Sequence, residues 1–339
     1  MYNYVVGNRI LVFGDLHFSD VYAGKHKNYL QECCGILGEI TRIISEKTPS
    51  AVVLLGDLIG WTETNIRDRQ VLSMFLKVLK EWNEYCPVYA VKGNHDIKGY
   101  PDFLLFSELG LIITSDMCDG YFDYFGDESQ EIPEVRFHLV DYKSEDKVLN
   151  FAENENTSNI VLAHNNFTIN GVTTWYAEHD GIELGLQRNF SGVDMVISGH
   201  IHNPSPEIYA VSMPNGGSCM LFYPGCPTRP IKDKNIYESC WFVDIVFNNN
   251  QTDVNPEEFK LKPLDDIFYT DEEFVTEKTE EEINEELRKE ALANILGDLL
   301  KYRMNTGDPI QQINNIPNGS PEAKKIAIQY LQTAFNIGT

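Results

Sequence analysis

The chain lacks three features that would have pointed elsewhere. No apolar run reaches the roughly 18 residues that span a bilayer, and Met1-Tyr2-Asn3-Tyr4-Val5 has neither the charged start nor the apolar stretch of a secretory signal. A soluble, cytoplasmic protein with no membrane partner is expected. Its seven cysteines are odd in number and show no C-x-x-C spacing, which argues against a disulfide framework or a zinc ribbon. Cys33 and Cys34 fall in a helical stretch and are read as core fillers in a reducing compartment. Positive charge is scarce too: 27 Lys and Arg against 51 Asp and Glu give a formal net charge of −24. That balance opposes nucleic-acid binding, which neutralises phosphates with basic side chains. Much of the excess is local, since residues 253–290 hold 15 acidic against five basic residues.

What is present is an ordered series of polar motifs. The segments are Asp15-Leu16-His17, Gly56-Asp57, Gly93-Asn94-His95-Asp96, His164-Asn165 and Gly199-His200-Ile201-His202. Each follows a run that reads as a buried strand: Ile10-Leu11-Val12-Phe13, Ala51-Val52-Val53-Leu54-Leu55, Val88-Tyr89-Ala90-Val91, Ile160-Val161-Leu162-Ala163 and Met195-Val196-Ile197-Ser198. The polar residues therefore stand at the carboxyl ends of strands, the edge where open α/β sheets gather their ligand-binding loops. Carboxylate, imidazole and amide oxygen suit divalent manganese, iron or zinc, and none of the five segments contains the cysteine that would select a thiolate site. A carboxylate can bridge two ions about 3.5–4 Å apart, a spacing that serves phosphoryl chemistry. Asp57 is read as that bridge.

Helices are legible between the strands. Residues 28–47 place Leu30, Cys33, Leu37, Ile40 and Ile44 on one face, and 68–82 do the same with Val71, Phe75, Val78 and Trp82. At 339 residues with 42% apolar content, the chain can bury one large core plus an appendage. The aromatic, acidic stretch 115–134 reads as an excursion at a sheet edge. His138 alternates within a strand and reads as structural; His26 and His179 read as residues of solvated loops. Residues 219–223 and 240–247 read as late strands of a second layer, with a break at 248–251. Beyond it, Thr279 and Glu282 form a capping box, and Ile283, Leu287, Ala291, Ile295 and Leu299 make an apolar stripe. Ser320-Pro321-Glu322 opens a second helix.

With these motifs in order, the chain resembles the calcineurin-like metallophosphoesterases over about residues 9–230. Within them it looks most like the SbcD-type nuclease subunit of the SbcC–SbcD repair complex and its phage relatives. Asn203-Pro204 and Tyr223-Pro224-Gly225-Cys226-Pro227 extend the likeness. The resemblance implies a two-layer sandwich of mixed sheets flanked by helices, an α/β fold with a C-terminal helical tail. It implies two divalent metals, with manganese the expected ion: Asp15, His17 and His202 on one, Asn94, His164 and His200 on the other, and Asp57 shared. His95 would not ligate but would protonate the leaving oxygen, with Asp96 orienting its ring. Departures are Gly60, where many SbcD-like proteins carry an acidic residue or histidine, and Cys226 in place of serine.

Three segments are expected: a phosphoesterase domain at 1–250, a short cap or linker at 251–275, and a helical segment at 276–339 that docks a partner. The resemblance implies DNA as substrate, 3′ to 5′ exonuclease with added endonuclease activity, a coiled-coil SbcC-type ATPase bound through the C-terminal helices, and a homodimer. Two other readings stay open. One is a phosphatase or small-molecule phosphodiesterase, although Leu58-Ile59-Gly60 lacks the arginine of phosphoprotein phosphatases and residue 96 is Asp, not Glu. The other is a non-catalytic scaffold, which the complete ligand set opposes.

Overall fold

Strands β1 (Tyr4–Val6), β2 (Arg9–Phe13), β3 (Ala51–Leu54), β4 (Val88–Ala90), β5 (Ile113–Thr114), β6 (Tyr121–Phe125), β7 (Val135–Val140) and β8 (Ser158–Ala163) come first in chain order. They are followed by β9 (Phe167–Thr168), β10 (Ile182–Glu183), β11 (Met195–Ser198), β12 (Tyr209–Ser212), β13 (Ser218–Phe222), β14 (Ser239–Asn248) and β15 (Gln251–Lys260). Helices α1 (Tyr29–Lys47), α2 (Arg69–Tyr85), α3 (Asn94–Lys98) and α4 (Tyr100–Glu108) lie between the early strands. This computed structural model describes residues 3–18, 29–60, 69–98, 100–147, 149–151, 156–169, 181–229, 239–248, 251–261 and 325. The chain divides into two compact units, and all described residues except Lys325 lie in the one formed by Met1–Trp61 and Asp68–Phe268. The expected helical tail, His26 and His179 lie outside the described residues.

Two mixed sheets form the body. One has the order β15-β14-β2-β3-β4-β5, the other β1-β6-β7-β8-β11-β13-β12. Strands β2 to β5 are mutually parallel, as are β7, β8, β11 and β13. Parallel neighbours require crossovers, and α1 and α2 supply two of them. The strands of the first sheet are buried on both faces because their residues alternate between two cores. Ile10, Val12, Ala51, Val53 and Tyr89 point into the layer between the sheets, whereas Leu11, Phe13, Val52, Leu54 and Val88 face the helices. Between the sheets, Tyr89 stacks on Phe122 at 4.1 Å and Phe122 on Phe137 at 5.0 Å. Tyr124 stacks on Phe247 at 3.6 Å beside them.

The predicted helical faces are the buried ones, with adjustments. Cys33, Leu37, Ile40 and Ile44 are buried on α1 and Leu30 is partly so. On α2 the seam is Val71, Phe75, Leu79 and Trp82, with Val78 at its margin. Trp82 joins the two helices: its indole N–H donates to Thr41 Oγ1 at 2.7 Å. Where α1 ends, Lys47 Nζ meets Asp244 Oδ2 and Glu257 Oε1, both at 2.7 Å, tying the helix to β14 and β15.

The structure corrects two expectations. Residues 115–134 are no edge excursion, because β6 is an internal strand with Phe122 and Tyr124 fully buried between β1 and β7. Gly120 and Gly126 bracket that strand. At the expected break Asn248 pairs with Gln251, and 251–260 returns along β14 in ten-residue register, so residues 251–260 belong to the sheet and not to a cap or linker. Pro256 and a run of polar side chains hid the strand, but both are tolerated at a sheet edge. The two mixed sheets flanked by helices agree with the expected fold, and among the described residues the α-helices α1, α2 and α4 pack on the first sheet. The outer face of the second is closed by Phe167, Leu184, Phe190 and Val193 from the β9–β10 pair and short 3₁₀ turns. No described helix is long and apolar enough to cross a membrane.

Trp82→Ala removes both the seam and the bond to Thr41. A loss of about 3–5 kcal/mol is expected, read as a lower urea midpoint by tryptophan-independent far-UV circular dichroism.

Candidate metal centre

The five motif strands bring their carboxyl ends to one place, three from the first sheet (β2, β3, β4) and two from the second (β8, β11). The centre therefore lies on the seam between sheets. Asp15 and His17 follow β2, Asp57 follows β3, Asn94 and His95 open α3, and His164, His200 and His202 follow β8 and β11. Bonds across the seam fix these loops. His164 Nδ1–H donates to the Leu55 carbonyl at 2.6 Å, and the His200 backbone N–H donates to Asp15 Oδ1 at 2.9 Å. His17 N–H donates to Asp57 O at 2.8 Å, and His95 N–H to Asp57 Oδ1 at 2.8 Å.

All seven side chains expected to hold metal converge. His17 Nε2 lies 2.9 Å from His202 Nε2 and 3.5 Å from Asp57 Oδ2. On the other side Asn94 Oδ1 lies 3.1 Å from His164 Nε2 and 2.9 Å from His200 Nδ1, while His164 Nε2 is 3.4 Å from Asp57 Oδ2. Donor atoms bound to one ion at about 2.1 Å stand roughly 3–3.5 Å apart, so these separations fit shared coordination shells. One oxygen, Asp57 Oδ2, faces both groups of nitrogens, the placement a bridging carboxylate needs. The residues present fit a pair of divalent ions. His17, Asp57 and His202 could hold one, and Asp57, Asn94, His164 and His200 the other; Asp15, with a carboxylate oxygen within 4.8 Å of Asp57 and His164 donor atoms, is assigned to the first by the resemblance. The His164–Leu55 bond also settles a tautomer: with its proton on Nδ1, the ring offers Nε2 as a ligand.

The centre is held by a tense local backbone. His17, Asp57 and His200 are non-glycine residues at φ 44°, 48° and 79°, a left-handed conformation that persists where surrounding bonds over-determine it. Close approach matters as well: a Cβ on Gly93 would stand 2.1 Å from Asp57 Oδ1. Asp96, expected to orient the His95 ring, instead clamps two turns with its carboxylate. Its Oδ2 accepts the N–H groups of Asp57 at 2.7 Å and Gly93 at 2.9 Å, and its Oδ1 that of Leu58 at 3.1 Å. The residue belongs to the centre as a positioning group.

Titration follows from burial and charge. Burial pushes the Asp15 carboxyl up to about 7, helped by the neighbouring Asp57 charge and opposed by His164. Burial would raise Asp57 as well, but His164, then His17 and His95, hold it below the usual carboxylate range. Burial lowers His164, yet Asp57 and Asp15 outweigh it and keep the ring protonated up to about 10. His200 is held down at about 3 by burial and by His164, and His17 lies well below its ordinary value for burial and His202. These two rings keep free lone pairs at neutral pH.

Three contributions escaped the motif reading. Tyr142, just past β7, has its ring 5.3 Å from that of His200, and Lys143 Nζ lies 5.4 Å from the Tyr142 ring centre. Asn165 pins that loop, its Oδ1 accepting Lys143 N–H at 2.9 Å. The Tyr223 hydroxyl accepts the Phe167 N–H at 2.5 Å and shares its one proton between the backbone carbonyls of Asn165 and Phe167, so the Tyr-Pro-Gly segment supports the His164 loop. Only the aromatic residue and lysine following a strand hinted at the first. His138 is structural as expected, buried against Asn159 at 3.1 Å and lowered to about 4 mainly by burial.

Comparison with known proteins covers the same stretch of chain. A family model for calcineurin-like phosphoesterases matches residues 8–204, from β2 to just past His202. Among curated proteins, none matches the chain by sequence. Similar solved structures include a dimetal phosphatase from Danio rerio, 13% identical at a TM-score of 0.46, covering 76% of this chain and 98% of that one. A protein of Thermus thermophilus is 9% identical at a TM-score of 0.40, covering 74% of this chain and 99% of its own.

Two outcomes are expected. Gly93→Ala displaces Asp57 and lowers metal content by atomic emission without unfolding the chain. Metal uptake must displace protons from Asp15, up to about pH 7, and from His164, up to about pH 10. Apparent affinity therefore climbs with pH between 6 and 8, about tenfold per unit for each proton released. Calorimetry in buffers of different ionisation enthalpy counts those protons, and pH-independent binding would contradict the assignment.

Proposed function

The chain belongs to the calcineurin-like phosphoesterase family, and from that premise we propose that it is a metal-dependent DNA nuclease subunit acting in recombination or repair. The reaction is hydrolysis of phosphodiesters, exonucleolytic with an added endonucleolytic activity. When bound, a pair of divalent ions, manganese in this reading, supplies Lewis-acid charge to the phosphoryl oxygens and a nucleophilic hydroxide at neutral pH. The chain's own groups do the rest. His95 is the general acid. Its backbone is fixed by Asp57, its ring meets His17 edge-on at 5.0 Å, and its Nε2 lies 3.9 Å from Asp57 Oδ2. Its side chain is 15% exposed where that of Asp57 is 2%, so it can reach a substrate that the buried carboxylate cannot. From there it donates a proton to the departing sugar oxygen.

The observation that carries the choice of DNA is the rim pair Tyr142 and Lys143. An aromatic ring beside His200 offers a stacking platform to a nucleobase, and the adjacent lysine offers charge to a flanking phosphate. The Tyr223-Pro224-Gly225 likeness to SbcD-type nucleases supports the same choice. A chain of net charge −24 gains DNA affinity from a partner in this reading. The proposed partner is a coiled-coil ATPase of the SbcC type, docked by the two amphipathic helices that the sequence pattern predicts within 276–339, with the nuclease as a homodimer.

The test measures nucleotide release from linear and hairpin DNA with manganese, beside hydrolysis of bis- and mono-nitrophenyl phosphate. His95→Ala is expected to slow DNA cleavage about 10²–10⁴-fold with metal content unchanged. Tyr142→Ala is expected to raise KM for DNA while bis-nitrophenyl phosphate hydrolysis persists. Monoester hydrolysis with intact DNA would replace this reading with the phosphatase one. Bound metal with no cleavage, ATPase partner included, would leave the scaffold.

A further inference from the structure

One donor beside the centre belongs to none of the five motifs. Cys226 is fully buried, and its sulfur lies with His17 and His202 nitrogens in a group whose atoms are all within 4.8 Å of one another. Its place is fixed by the backbone. The Cys226 N–H donates to the His202 carbonyl at 2.9 Å, and the turn before it needs glycine: Gly225 has φ 82°, and a Cβ there would meet that same carbonyl at 2.8 Å. The sulfur has a hydroxyl neighbour, Thr228 Oγ1, at 3.3 Å. Sulfur and nitrogen bound to one ion stand up to about 4.4 Å apart, so a small shift of the thiol joins it to the two imidazoles.

We propose that Cys226 is a further ligand of the metal position held by Asp15, His17 and His202. The thiol proton passes to solvent as the sulfur lone pair engages the ion, and no oxidation occurs. The two positions then differ in kind. The one with sulfur is soft and prefers zinc, and the one built from Asn94, His164 and His200 keeps oxygen and nitrogen donors that also accept manganese. This inference rests on the two-ion centre of the proposed function, puts zinc in place of manganese at one of its positions, and does not depend on the DNA substrate.

The experiment titrates the metal-free full-length protein with Co²⁺ and records its absorption. Cobalt in a histidine and carboxylate shell gives visible d–d bands, and a thiolate ligand adds an intense charge-transfer band in the near ultraviolet. Wild type is expected to show both, the ultraviolet band saturating within the first equivalents. Cys226→Ser is expected to keep visible bands and lose the ultraviolet one, with zinc affinity falling about tenfold or more, the scale on which lost supporting contacts weaken metal sites. Visible bands without charge transfer in wild type would overturn the ligand role and leave the nuclease reading intact. A charge-transfer band that survives in Cys226→Ser would assign the sulfur elsewhere and overturn it too. Absence of visible bands would overturn the metal centre and this inference together. The wild-type spectrum decides even if the serine variant fails to fold.

Discussion

A buried carboxylate organises this molecule. Asp57 is 1% exposed, and an anion out of water is costly unless paired and hydrogen-bonded. Everything around it answers that cost. The His95 backbone donates to one oxygen while His17 and His164 nitrogens face the other. Without metal, the positive charge comes from a proton retained on His164; a dication does the same work with more charge. The left-handed backbone at His17, Asp57 and His200, of order 1–3 kcal/mol each, is the local consequence of aiming so many donors at one point.

That point lies on a seam, so the sandwich and the site are one problem. Each sheet carries part of the donor set, and neither alone makes a complete centre. The stacked rings of Tyr89, Phe122 and Phe137 hold the layers together from within. The bond from His164 to the Leu55 carbonyl joins them at the edge. Core packing and ligand geometry are coupled through those contacts.

The acidity of the chain shapes its working life as proposed. Lys92, near the centre, is engaged by Asp116 and Asp141, whereas Lys143 stands at the rim over Tyr142. In the proposed reading as a nuclease, so little positive field leaves positioning to short-range contacts and long-range capture to a partner. Such a division suits a centre whose chemistry is carried by histidines and two carboxylates.

The five motif strands with their polar carboxyl ends, β7, β13 and β14, and the apolar faces of α1 and α2 were legible in the sequence, because each is a local pattern of period two or 3.6. So was the donor chemistry of Asp15, His17, Asp57, Asn94, His164, His200 and His202. Strands β6 and β15 were not legible. β6 lies between β7 and β1, the latter from the far N-terminal end of the chain, and β15 is a polar edge strand in which alternation carries no burial signal. Asp96 as a backbone clamp, Tyr142 at the rim and Cys226 beside His202 likewise depended on tertiary structure. Sequence by itself determined which donors exist and which strand end bears each; the fold decided which atoms share a centre, because they meet only where two separate sheets close on each other.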